Sequence, residues 1–188
     1  MARWWIAALW LTLGLGGCAS TVTVPSAPVD MRLSANWTLQ GRIGIQTGAQ
    51  SMSGALHWQH REHSDELLLT SPLGQGVARI VINAEGAVLE MPNQPVRRAA
   101  DAESLTRETL GYALPVAGLV WWVQAQPAPD RVFESTRDAA GRLAQLRQDG
   151  WVIDYLQYAA DAPARPRKLL VARDGLEIRL VADNWTAE

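Results

Sequence analysis

From Trp37 onward the chain alternates. In WTLQGRIGIQ, Trp37, Leu39, Ile43 and Ile45 fall on one face, and Thr38, Gln40, Arg42 and Gln46 on the other. That period of two predicts a half-buried strand. SMSGALHWQ repeats it, with Met52, Leu56 and Trp58 set against Ser53, His57 and Gln59. DELLLTS, GVARIVIN and GAVLEM follow, divided by short turns such as Ala84-Glu85-Gly86. Short strands at this spacing predict an antiparallel meander.

The middle of the chain breaks the alternation. DAESLTRETLG predicts a helix, with Asp101 as N-cap, Leu105 and Leu110 facing inward and Gly111 as the stop. LPVAGLVWWV, residues 114–123, predicts a second, apolar helix with Pro115 near its first turn, ended by Gln126-Pro127-Ala128-Pro129. Strands then resume in RVFEST, RLAQLRQ, WVIDYLQY, RKLLVAR and LEIRLVAD, bounded by turns such as Asp149-Gly150 and Asp174-Gly175. The pattern predicts an α+β domain, mainly antiparallel β, with about ten or eleven strands and two helices. A sheet that large, apolar on one face, curls on itself. The helices cover part of the concave face, or the sheet closes into a barrel with a lumen. Both geometries offer an apolar cavity.

The stretch before Trp37 is of another kind. MARWWIAALWLTLGLGGCAS carries one charge, Arg3, then an apolar run, then small residues. The run is shorter than the ~20 residues of a membrane-spanning helix, and its layout is that of a signal peptide. Leu15-Gly16-Gly17-Cys18 resembles the lipobox of bacterial lipoproteins, in which the Cys is lipidated and the signal is cut before it. Cys18 is the only cysteine, so it has no disulfide partner. The expected organisation is therefore a signal peptide at 1–17, a lipidated Cys18 with a Pro-containing tether at 18–36, and a single domain at 37–188. The tether is expected to hold a short helical turn near residues 30–35. By resemblance to enteric lipoproteins, Ala19 rather than Asp after the Cys implies export to the outer membrane.

Composition narrows the function. The chain of 188 residues is 48% hydrophobic with a formal charge of −2, enough for one real core and without the basic excess that nucleic acid requires. His57, His60 and His63 cluster, but on a strand running into a turn His57 and His60 point to opposite faces, so a solvated turn is expected rather than a metal site. Neither a nucleophile elbow nor a zinc-helix motif is found, and the glycines form no phosphate loop. No catalytic residue, metal or cofactor is expected. Trp122 is expected either to pack its helix on the sheet or to line a cavity. One oddity stands out: Leu73 sits between Pro72 and Gly74 at a turn tip, where small or polar residues are usual.

Together these pieces resemble the LolB family, outer-membrane lipoprotein receptors at the end of the Lol sorting pathway. The resemblance rests on WTLQGRIGI, SGALHWQ, LLLTSPLG, DAESL with its LG, LPVAGLVWWV with its P-x-P exit, GWVIDYLQY and the closing LVADNW, in that order. It implies an open, incomplete β-barrel whose concave apolar face is lidded by helices. It also implies a non-enzymatic, monomeric receptor on the periplasmic face of the outer membrane. Such a receptor accepts acylated lipoprotein cargo from a soluble periplasmic carrier and releases it into outer-membrane lipid. Trp37, Leu39, Ile43, Ile45, Met52, Leu56, Trp58 and Trp122 are the candidates for an acyl-chain cavity, although periodicity alone does not separate lining from core. In the family, the Leu of the protruding loop after the third strand is tied to membrane insertion of cargo. Pro72, Leu73 and Gly74 match that loop. The chain departs from the family where residues 29–36 are short, since the family carries a longer polar helix before the first strand. A second function class is a lipid- or glycolipid-binding subunit of an outer-membrane assembly machine. A third, an envelope hydrolase, would need an activated Ser or His in a cleft.

Overall fold

The computed structural model describes residues 35–48, 50–71, 73–160 and 164–187. The signal peptide, Cys18, the tether as far as residue 34 and Pro72 lie outside them. The described residues form eleven strands and two helices. They are β1 (Trp37–Gln46), β2 (Ser51–Arg61), β3 (Ser64–Thr70), β4 (Gly76–Asn83), β5 (Gly86–Glu90), β6 (Arg97–Ala99), α1 (Ala102–Leu110), α2 (Val116–Trp122), β7 (Phe133–Arg137), β8 (Leu143–Gln148), β9 (Trp151–Tyr158), β10 (Pro166–Arg173) and β11 (Leu176–Ala187).

All eleven strands belong to one antiparallel sheet in the order β6-β5-β4-β3-β2-β1-β11-β10-β9-β8-β7. The chain walks outward from β1 to one edge at β6. It crosses to the other edge through the two helices, then walks back from β7 until β11 pairs with β1. This is the open sheet expected, not a closed barrel: β6 and β7 are its two edges, and the helices lie between them in sequence.

Because every pairing is antiparallel, the sheet has two chemically distinct ends. One register row runs through Ala187, Trp37, His60, Asp65, Ile82, Ala87 and Ala99; this is the Trp37 end. At the other end lie the β1–β2 and β3–β4 turns, the Asp149-Gly150 and Asp174-Gly175 turns, and the starts of β6 and β7. The tip of the β3–β4 turn gives it the name Leu73 end.

The joint between β1 and β11 depends on Gly41. The register slips between Gln40 and Gly41, leaving Asp183 as an extra residue on β11. A Cβ on Gly41 would run into the Val181 carbonyl, so only glycine allows this close approach. The bulge turns Asp183 outward, where Arg42 Nε and Nη2 donate to its two carboxylate oxygens at 3.1 and 3.0 Å. That contact holds the Arg42 guanidinium above its ordinary pKa. On the same outer surface Arg79 donates to Glu66 and to Glu90, tying β3, β4 and β5 together and lowering the Glu66 carboxyl.

Helix α1 forms as its caps predict. Asp101 accepts the Ser104 N–H at 2.7 Å, and Gly111 stops α1 at φ 84°. Three details depart from the sequence reading. α2 is shorter than the apolar run, because Pro115 occupies its N-cap position rather than its first turn. β6 is only three residues long, below the length at which alternation can be seen. β11 continues past Asp183 to Ala187, because that stretch pairs with the start of β1.

Candidate functional site

The concave face of the sheet is lined continuously with apolar side chains. Trp37, Leu39, Ile43 and Ile45 of β1, Leu56 and Trp58 of β2, and Ile178 and Leu180 of β11 are all buried there. They join Leu105 of α1 with Leu119 and Trp122 of α2 in a single cluster. Of the eight cavity candidates, Trp37, Leu39, Ile43, Ile45, Leu56 and Trp58 lie on this buried face, Trp122 is buried on α2, and Met52 is half-buried at the margin. As folded, these side chains pack against one another and against the two helices. A ligand on this face would have to replace helix contacts.

The two helices are fastened differently. α1 packs through Ala102 and Leu105 onto β5 and β6. α2 buries Val116, Leu119 and Trp122 in the same apolar cluster, and polar contacts are added to this hold. Gln148, at the end of β8, is buried. Its Oε1 accepts from Trp122 Nε1 at 2.9 Å and from the Ala128 N–H at 2.8 Å, while its Nε2 donates to the Ala128 carbonyl at 2.9 Å. Tyr155 Oη donates to the Trp122 carbonyl at 3.0 Å, and burial pushes its phenol well above the ordinary pKa. Gly118 makes this arrangement possible, because the Trp122 indole folds back over it where a Cβ would clash. Neither Gln148 nor Tyr155 stood out in the sequence. A polar residue just before an Asp-Gly turn looks solvated, and only the tertiary position of α2 shows otherwise.

At the Trp37 end the floor of the curled sheet is aromatic. Trp37 meets Trp58 edge-on at 4.9 Å, Trp185 at 4.7 Å and the His60 ring, stacked, at 5.0 Å. Asp65 Oδ1 accepts from Trp58 Nε1 at 2.8 Å and lies 2.9 Å from His60 Nδ1. His57 and His60 do point to opposite faces. His60, however, is not in a solvated turn: it faces inward beneath Trp37, its side chain mostly buried. The solvated-turn expectation failed for it because β2 runs on to Arg61, beyond the stretch read as strand. Among the described residues no group of three metal-ligating side chains occurs.

The Leu73 end is open by contrast. A cavity of about 300 Å³ lies between the β1–β2 hairpin and the C-terminus of α1, lined by Ile45, Met52, Thr109, Leu110, Tyr112 and polar hairpin residues. The β3–β4 turn is closed by hydrogen bonds from Ser71 N–H to the Gln75 carbonyl and from Gly74 N–H to the Ser71 carbonyl, both 2.8 Å. Gly74 takes φ 79°, and Leu73 projects with 88% of its surface exposed. Pro72, the other loop residue singled out, lies outside the described residues. Sequence reasoning missed Val132 and Phe133, also exposed and at this same end, because a lone Val-Phe before a strand resembles any strand start.

An open antiparallel sheet, apolar within and lidded by two helices, is the fold class that the described residues define. A LolA superfamily protein from Nitrosomonas europaea has the same architecture: its crystal structure matches with a TM-score of 0.52 at 10% identity, covering 82% of this chain and 87% of that one. The family described as "Outer membrane lipoprotein LolB" matches residues 35–185. An outer-membrane lipoprotein LolB of Thiobacillus denitrificans is 59% identical over 93% of each chain. One from Pseudomonas putida strain W619 is 41% identical, covering 79% of this chain and 73% of its own. The chain belongs to the LolB family of outer-membrane lipoproteins.

Proposed function

We propose that this protein is the lipoprotein receptor of the Lol pathway, taking acylated cargo from a soluble LolA-type carrier and releasing it into the outer membrane. The observation that carries the reading is the continuous apolar inner face under a helical lid, with a cavity at its margin at the same end as the exposed Leu73. Family membership supports it. The receptor has no chemistry to perform. Each acyl CH₂ moved out of water contributes about 0.8 kcal/mol, so transfer runs down a gradient of apolar contact from carrier to receptor to bilayer.

The lid must yield for acyl chains to reach Leu39, Ile43, Ile45, Leu56 and Trp58. α1 is the mobile part in this reading, since its hold on β5 and β6 is apolar and an acyl chain can substitute for it in kind. α2 stays, because displacing it would strand Gln148, Tyr155 and the Trp122 indole N–H without partners. Residues 1–17 are removed as a signal peptide, Cys18 carries the lipid anchor, and residues 18–36 tether the 37–188 domain. Leu73, held out by its Gly74 turn and preceded by Pro72, is the delivery element.

The test is a two-stage transfer assay with the matching carrier, loaded with a lipoprotein, and then with vesicles. Wild-type protein is expected to accept the cargo and pass it on. Leu73→Glu is expected to accept it and retain it. Absence of acceptance at any carrier concentration refutes the receptor reading. Full delivery by Leu73→Glu refutes the role of the loop alone.

A further inference from the structure

Six large hydrophobic residues stand exposed among the described ones: Leu73, Val77, Val96, Val132, Phe133 and Leu156. All but Leu156 lie at the Leu73 end. Leu73 and Val77 belong to the β3–β4 turn and the start of β4. Val96 immediately precedes β6, and Val132 immediately precedes β7, so these two stand at the two edges of the open sheet. Val132 is 92% exposed, more than Leu73 itself, and Phe133 beside it is 41% exposed. Singly exposed apolar residues are ordinary, but a concentration at one end marks an interaction surface.

We propose that Val132 and Phe133 form a second lipid-contacting site, so that the domain seats end-on upon the bilayer at two points, the Leu73 turn and the start of β7. Three observations favour a bilayer as the occupant. The contacts are spread over separate turns at one end of the strands, which suits a broad surface more than a groove-fitting segment. Of the charges flanking Val132, Arg131 is paired with Asp149, and the exposed carboxylates Asp130 and Glu134 can meet the ammonium groups of phosphatidylethanolamine. The third is reach. About twenty residues separate Cys18 from Trp37, a chain that extends to roughly 60 Å, whereas β1 of ten residues is about 33 Å long. The tether starts at the Trp37 end and is long enough to let the opposite end face the membrane. The cavity lined by Ile45, Met52, Leu110 and Tyr112 opens at that end, so cargo chains would leave toward lipid without crossing water. This last consequence rests on the receptor reading; the seating itself rests only on the lipid anchor.

The experiment uses the full acylated protein in phosphatidylethanolamine–phosphatidylglycerol vesicles. Single cysteines are introduced as Val132→Cys, Leu73→Cys and, in the β2–β3 turn at the Trp37 end, His63→Cys, and each is labelled with an environment-sensitive fluorophore. Labels at 132 and 73 are expected to shift to the blue and to be quenched by spin-labelled acyl chains, while the label at 63 stays as in water. A water-like label at 132 beside a quenched label at 73 overturns the proposal. So does a label at 132 that is shielded only when the soluble carrier is added, which would make this a protein-docking surface. In parallel, Val132→Ser with Phe133→Ser is expected to slow delivery to vesicles about tenfold with acceptance unchanged. Unchanged delivery overturns it. Loss of acceptance by the wild type would instead refute the receptor reading and leave the label depths standing as the measure of seating.

Discussion

The two ends of this sheet are built from the same strands and behave as opposites. At the Trp37 end, three tryptophans and His60 close the interior, and the one carboxylate among them, Asp65, is satisfied by Trp58 and His60. At the Leu73 end, apolar side chains stand in water and a cavity opens beside α1. A closed floor concentrates stability because aromatic rings bury large areas and the Trp58 indole finds its partner in Asp65. An apolar rim gives stability away, since exposed Leu and Val gain nothing from folding. The division suits a vessel that must hold its shape at one end while lipid passes at the other. Ranked by loss of unfolding free energy, four substitutions test that division.

The largest effect is expected from Trp58→Ala. It removes the edge-on contact with Trp37, leaves a cavity in the floor and deprives Asp65 of its indole donor. A cost of about 4 kcal/mol is expected, typical of a buried aromatic cut to Ala, read as a lowered urea midpoint at unchanged slope. A loss under about 1 kcal/mol would mean that the floor is not where stability resides.

Gln148→Leu comes next. The leucine fills similar space but leaves Trp122 Nε1 and both backbone groups of Ala128 unpaired. We expect a loss of about 2–3 kcal/mol, with amide exchange accelerating in α2 and unchanged in α1. Equal acceleration in both helices would show that the lid opens as one piece.

How much of this was legible beforehand follows from the physics of each element. Long strands with one buried face announce themselves by alternation, so β1 and β2 and their inner residues could be read directly. Caps are local, so Asp101 and Gly111 placed α1. The closure of β1 on β11 was invisible, because it joins Trp37 to Ala187 across nearly the whole chain and no local pattern encodes a pairing. Gln148 and Tyr155 were passed over for one shared reason: each is a polar side chain whose partner is contributed by a distant segment. His60 was misjudged because β2 extends past the stretch that reads as strand. Leu73 was legible because a turn tip is expected to be polar and because its loop resembles that of the family. Val132 broke no such rule.

A smaller effect is expected from Asp101→Ala, which removes the cap of the lid helix that the receptor reading takes to move. The cost is about 1 kcal/mol. The Ser104 N–H holds the Asp101 carboxyl below its ordinary pKa. Its contribution is therefore complete above the ordinary carboxylate range and is lost as the pH falls through the lowered value. Helix α1 should loosen on acidification in the wild type, seen by amide exchange corrected for intrinsic rates. In Asp101→Ala it should start looser, with that acid-dependent step diminished.

The smallest change in stability is expected where the change in function is greatest. Leu73 touches little in the folded domain, being almost fully exposed on its turn, so Leu73→Glu should shift the unfolding free energy by less than about 0.5 kcal/mol. The same variant is expected to retain cargo rather than deliver it, because a carboxylate resists leaving water while Leu gains up to about 3 kcal/mol on burial. Measured together on one preparation, urea unfolding and delivery to vesicles separate rim from floor. If Leu73→Glu instead lowers stability as Trp58→Ala does, the turn is packed onto the domain in solution. Its exposure would then not be the property on which delivery depends.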